Sequence, residues 1–178
     1  MLSLLLATVV TLQAGAFTLT SPDLPAGRPL PQAQVFNSFG CSGGNISPRL
    51  EWTNAPAGTR SFAVTVYDPD APTGSGWWHW VLFNLPATTT MLEAGAGTPG
   101  SSKAPRGTAV QSQTDFGVPG FGGACPPAGD KAHRYVFTVH ALKVDALPLD
   151  EKATGAMVGF YLGQNTIAKA SFTRTFGR

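Results

Sequence analysis

Three runs of β-branched and aromatic residues dominate the chain: 61–68 (SFAVTVYD), 78–85 (WHWVLFNL) and 134–144 (RYVFTVHALKV). In the first, Phe62, Val64 and Val66 alternate with Ala63, Thr65 and Tyr67, the period-two pattern of a two-faced strand. The third alternates in the same way. Between and around these runs the chain is full of punctuation, with 21 glycines and 15 prolines, which favours turns over long helices. Residues 17–34 read as a Pro-rich extended segment, 35–39 as a short strand, and GCSGGNISPRLEW (40–52) as a loop. Residues 87–132 are mostly Gly, Ala, Ser, Pro and Thr. Such a stretch makes no core alone and is expected as loops and short strands laid over the sheet. Helix is expected only late. Asp150 follows Pro148 as an N-cap candidate, and Met157, Phe160 and Tyr161 recur at helical spacing. A second helical piece over 166–172 is expected to continue it, although Gly155, Gly159 and Gly163 each weaken a helix by up to about 1 kcal/mol. Mostly β with late helix points to an antiparallel-sheet fold. A length of 178 residues, without internal repeat or linker, suits one domain over 17–178.

The first sixteen residues, MLSLLLATVVTLQAGA, are uncharged and mostly apolar. They read as a signal peptide, with Leu2 to Leu12 as the apolar core and Ala14-Gly15-Ala16 as the small-residue cleavage pattern. The stretch is shorter than the roughly 20 apolar residues of a membrane span. It lacks Lys or Arg ahead of the apolar run, so either the free amino terminus supplies the charge or the true start lies upstream. The expected location is periplasmic or secreted. Cys41 and Cys125 are the two cysteines. In an exported chain they read as a disulfide, with two separate buried thiols as the alternative. A net charge of +2 and the interrupted Lys103–Arg106 stretch give no basic patch. Nucleic acid and anionic membrane surfaces are therefore not expected partners.

Chemistry concentrates at strand ends. Asp68 closes the first run, on the face of Phe62, Val64 and Val66. His79 opens the second run after a short connection, so the two are expected at one end of the sheet. His133 opens the third run and joins them if that strand is antiparallel to 61–68. An acid and two imidazoles suit a small anion such as phosphate or carboxylate, with Trp77, Trp78 and Tyr135 as apolar walls and a hydroxyl. Asp68 would orient one imidazole and favour its protonated form. The plainer reading of each residue is structural: a hydrogen-bonded strand-end histidine, an Asp that forms a turn before proline. Asp70, between Pro69 and Ala71, is assigned to loop shape through an Asx-turn, and His140, mid-strand, to structure. No nucleophile elbow, phosphate-binding P-loop or zinc-protease motif occurs. A zinc site from Asp68, His79 and His133 is the less favoured alternative.

DPDAP at 68–72, WWHW at 77–80 and CPPAGDKAHRYVFTVHAL at 125–142, in that order, resemble the phosphatidylethanolamine-binding protein family. FGCSGGNISPRLEW at 39–52 and GTRSFAVTVYDPDAP at 58–72 resemble its bacterial branch. The resemblance covers most of 17–178. It implies a large antiparallel sheet packed with a smaller sheet, a C-terminal helix, and an anion pocket at one sheet end. By motif that pocket uses Asp68, His79, Pro127, His133 and Tyr135, with Trp77 and Asp70 nearby. Cys125 stands where the family often has glycine before its Pro-Pro pair, beside the pocket. A bond from it to Cys41 would pin the 39–48 loop over the site. The expected function is an exported, non-catalytic binding protein for a phosphoryl head group or phosphate, without a cofactor or metal. Inhibition of another protein is the alternative, and a hydrolase ranks last because no activated nucleophile accompanies the histidines.

Overall fold

The computed structural model describes residues 15–178; the expected signal peptide therefore lies, except for its last two residues, outside the described residues. Strands β1 (Thr18–Thr20), β2 (Leu50–Thr53), β3 (Ser61–Asp68), β4 (Trp77–Pro86), β5 (Met91–Leu92), β6 (Val110–Gln111), β7 (His133–Leu142) and β8 (Thr166–Phe176) form two antiparallel sheets, and among the described residues there is one α-helix, α1 (Gly155–Asn165), beside a short 3-10 turn at Gln32–Gln34. The small sheet runs β1-β2-β5 and the large one β6-β4-β3-β7-β8. The expected fold class holds: mainly β, a large sheet packed with a smaller one, and a C-terminal helix.

Alternation decides what each face meets. Phe62, Val64 and Val66 of β3 join Phe137 and Val139 of β7 and Trp52 of β2 in the core between the sheets. Ala63 of β3, with Val81 and Phe83 of β4, faces the other way and packs under Val158 and Leu162 of α1. The molecule is thus a three-layer stack in which the β3–β4–β7 centre is covered on both faces.

Four local expectations change. Residues 166–172 are not helix. They lie in β8, which pairs with β7 from His133↔Phe176 to Leu142↔Thr166. The helix stops at Asn165 because the next segment, TIAKASFTRTF, gains a full ladder on an open sheet edge. The helix begins later than expected: Thr154, not Asp150, is the N-cap, its hydroxyl accepting the Met157 N–H at 3.3 Å. Asp150 instead accepts the Lys152 N–H in the turn before it. Residues 35–39 make no strand. Val35 has a lone bridge to Ala124, and Phe39 and Gly40 adopt φ of 56° and 79°, which breaks any extended run. Leu50–Thr53, expected within a loop, is β2 and carries the buried Leu50 and Trp52 into the core.

The glycines of α1 are not equivalent. A Cβ at Gly155 would fall 2.3 Å from a ring carbon of Trp78, whereas one at Gly163 would meet nothing within 4 Å. Gly155→Ala is expected to destabilise by about 1–3 kcal/mol through overpacking. Gly163→Ala is expected to stabilise by up to about 1 kcal/mol through helix propensity. Urea unfolding of the two variants checks the opposite signs; equal effects would contradict the packing account.

Candidate functional site

The three expected residues do converge. β3 runs antiparallel to both β4 and β7, with Asp68↔Trp77 and Tyr67↔Val136 in register. The end of β3 therefore meets the starts of β4 and β7. The ladder between β3 and β4 skips one β4 residue between Val66↔Trp80 and Tyr67↔Trp78. The skipped residue is His79. This bulge puts His79 and Trp80 on the same side of the sheet, Trp80 into the core and His79 into the site, as bulges beside functional sites commonly re-aim a side chain.

Asp68 and His133 are each 3% exposed in their side chains, with Asp68 Oδ2 2.7 Å from His133 Nδ1. A carboxylate oxygen only accepts, so His133 Nδ1 carries the hydrogen. The other nitrogen, Nε2, lies 3.5 Å from Asp130 Oδ2, on a half-exposed turn. His79 Nδ1 stands 2.7 Å from the Gly122 carbonyl oxygen and donates to it by the same logic. Both rings thus spend Nδ1 on the protein and leave Nε2 for whatever enters. Burial pushes the His79 pKa down, opposed by the Gly122 carbonyl and by Asp68. Burial thus favours the uncharged His79 ring, with its hydrogen on Nδ1. The buried Tyr135 hydroxyl has no hydrogen-bond partner among the described residues, and burial raises its pKa, with Asp68 adding to the shift.

These groups floor a cavity of about 220 Å³ lined by Asp68, Trp77, His79, Cys125, Pro127, His133 and Tyr135, together with Phe39, Phe116 and Thr73. The sequence reading holds Asp70 near the site, but the structure leaves it out of the lining. Its carboxylate accepts the Arg134 N–H at 2.9 Å and the guanidinium at 2.8 Å from both Nε and Nη2. That hydrogen-bonded guanidinium holds the Asp70 carboxyl well below the usual range. Asp70 does shape the loop, but by fastening it to β7. The Asx-turn belongs to Asp68, whose Oδ1 accepts the Asp70 N–H at 2.8 Å. Trp78 turns to the helix side, against Gly155, and walls no part of this cavity.

Phe116 had no signal in the sequence, and of Phe39 only its loop, 39–48, was expected over the site. Phe116 makes edge contacts to Trp77 and His79 at centroid distances of 5.4 and 5.3 Å. Phe39, 64% exposed, stands at the mouth. Its loop is tied down twice. Cys41 and Cys125 form a disulfide, and Arg178 donates to the carbonyls of Pro126 (2.7 Å), Gly40 (2.9 Å) and Phe39 (3.3 Å). Among the described residues no three His, Cys, Asp or Glu side chains are arranged to hold a metal ion.

His140 lies mid-strand on β7, away from this cavity. Burial, with Lys169 adding, pushes its pKa down from 6.5 to about 4. The unfolded chain then binds a proton that the folded one refuses. Its stability contribution is complete above about pH 6.5 and is lost as pH falls toward 4, on the order of 2–3 kcal/mol. His140→Gln should flatten that part of a urea-midpoint profile; parallel profiles for the two proteins would contradict it.

The fold and site define a two-sheet β protein with a small pocket floored by two histidines at one sheet end. The chain belongs to the phosphatidylethanolamine-binding protein family, whose model matches residues 20–177. YbcL of Escherichia coli K12 is 55% identical over 164 residues, 92% of this chain and 89% of that protein. The crystal structure of YbcL, described as a new member of the mammalian PEBP family, superposes with a TM-score of 0.88 at 54% identity over 91% of this chain and 98% of that one. A Mycobacterium tuberculosis H37Rv protein named "Putative lipoprotein LppC" is 34% identical over 170 residues, 96% of this chain and 77% of that protein.

Proposed function

We propose that this chain is an exported binding protein that takes a small anion, phosphate or a phosphoryl head group, at the sheet-end pocket, and takes up a proton with it. The observation that carries this reading is the pairing of two buried imidazoles whose Nδ1 hydrogens are already committed, with no Lys or Arg among the lining residues. An anion can then be held only when a hydrogen sits between it and each Nε2. Above the pKa of whichever group supplies that hydrogen, ring or ligand, the complex holds more protons than the separate partners. The unpartnered Tyr135 hydroxyl supplies a further donor. The cavity lies below the roughly 300 Å³ of pockets for drug-sized molecules, which favours a head group.

Affinity for phosphate is expected to fall as pH rises above about 6.5, by up to tenfold per pH unit for each proton taken up. Calorimetry in buffers of different ionisation enthalpy reads the uptake directly. Equal heats in all buffers, with flat affinity from about pH 5 to 9, would remove the reading.

A non-catalytic role is supported by the absence of an activated nucleophile at the imidazoles. Cys125 is in a disulfide, Tyr135 is raised away from its phenolate, and the Thr73 hydroxyl donates to the Gly76 carbonyl. Export is supported by the disulfide and by the lipoprotein name of the mycobacterial relative; fractionation of the native host tests it. The exposed Phe39 at the mouth favours a second reading, in which a partner protein docks there. Pull-down with Phe39→Ser as control distinguishes it.

A further inference from the structure

The glycines of α1 include one that packing does not explain. Gly155 is needed by Trp78, yet Gly163 faces open space. That space is a groove of about 630 Å³ between α1 and the outer face of β3, β7 and β8, on the side of the sheet turned away from Asp68 and His79. Its wall is apolar, with Trp78, Leu162 and Val136 contributing. Among the described residues the fixed charge in its lining is of one sign, positive. Lys169 and His140 stand opposite each other across β7 and β8, flanked by Thr65, Thr138 and Thr166. No Asp or Glu lines the groove, and Lys169 has no ion-pair partner among the described residues. The Tyr67 hydroxyl is turned away to the Ser75 carbonyl at 2.7 Å. The His140 ring makes only long contacts, 3.4 Å to Thr65 Oγ1 and 3.3 Å to Thr166 Oγ1, so its polar capacity is not used up by the protein.

We infer that this groove is a second binding site, for a small amphipathic carboxylate whose aryl or branched alkyl body lies on Trp78 and Leu162 and whose carboxylate meets Lys169. The charge complementarity selects the ligand. A single cation with hydroxyl donors suits a monoanion, and a largely apolar wall suits a body that leaves water. Gly163 keeps the groove open, at the expense of helix stability. The site shares no lining residue with the sheet-end pocket, so it stands or falls independently of it.

The test uses the full chain and 3-phenylpropionate, with its uncharged amide as the control probe. Titration followed by NMR should move the His140 ring and the Trp78 indole signals while leaving His79 and His133 in place. The amide should bind at least tenfold more weakly, and Lys169→Gln should cost the carboxylate at least tenfold. Gly163→Leu should raise the unfolding midpoint, since leucine favours helix over glycine, and abolish the titration, a combination that a merely structural glycine does not give. Equal affinity for acid and amide, no effect of Lys169→Gln, or shifts confined to His79 and His133 would each overturn the proposal.

Discussion

Replacing both Cys41 and Cys125 by serine should lower stability by about 4–5 kcal/mol. The bond closes a loop across a sequence separation of 84 residues, and the loop-closure entropy it removes from the unfolded chain grows with the logarithm of that length. The loss is a large share of the 5–15 kcal/mol typical of a domain. The native corner should nonetheless keep its shape. Gly123 N–H donates to Asn45 Oδ1 at 2.7 Å, the Phe36 N–H to the Ala124 carbonyl at 2.9 Å, and Arg178 bridges the same two loops. Urea unfolding should show a much lower midpoint, and phosphate affinity should change much less than stability. A loss below about 1 kcal/mol would mean that the unfolded chain is already compact in this region.

Asp68→Ala should cost less stability and should strike the pocket as well. Asp68 and His133 are both buried, and removing the carboxylate leaves the His133 Nδ1 hydrogen without an acceptor, which costs about 1–3 kcal/mol. The same change releases the Asp70 N–H from its turn. His133 loses the acceptor that fixes its Nδ1 hydrogen, so phosphate affinity should drop by at least 100-fold, about 2.7 kcal/mol. Asp68→Asn separates the two roles. Its Oδ1 can still accept the turn N–H, so stability should fall less, by about 1–2 kcal/mol. Its amide would now donate to His133 Nδ1 and move the ring hydrogen to Nε2. The variant should then bind phosphate with one proton fewer taken up. If alanine and asparagine lower affinity equally and leave the proton count unchanged, Asp68 does not set the state of His133.

Much of this site was legible because strand ends can be counted. Asp68 closes one alternating run while His79 and His133 open two others, and antiparallel pairing of neighbouring runs brings those ends together. The match of DPDAP, WWHW and the Pro-Pro segment to a known family then supplied Pro127 and put Cys125 beside the pocket. What was not legible has specific causes. β8 has few large apolar residues, and its helix-compatible letters become a strand because β7 offers ten residues an unpaired edge. Phe39 and Phe116 reach the pocket from aperiodic loops, where no local pattern says which way a side chain points. Asp70 looked like a turn former because its neighbours are prolines; its partner, Arg134, is 64 residues away.

The sequence by itself determined the strands at the centre of the sheet, the late helix and the set of polar residues at one sheet end. These follow from period-two alternation, turn residues and short connections, all of which act over a few positions. The tertiary structure alone decided the bulge that aims His79, the commitment of both Nδ1 hydrogens and the edge pairing of β8. It alone decided that, among the described residues, no Lys or Arg lines the cavity. Each of these depends on groups brought together from distant parts of the chain, where burial and hydrogen-bond partners, not local propensity, set the outcome.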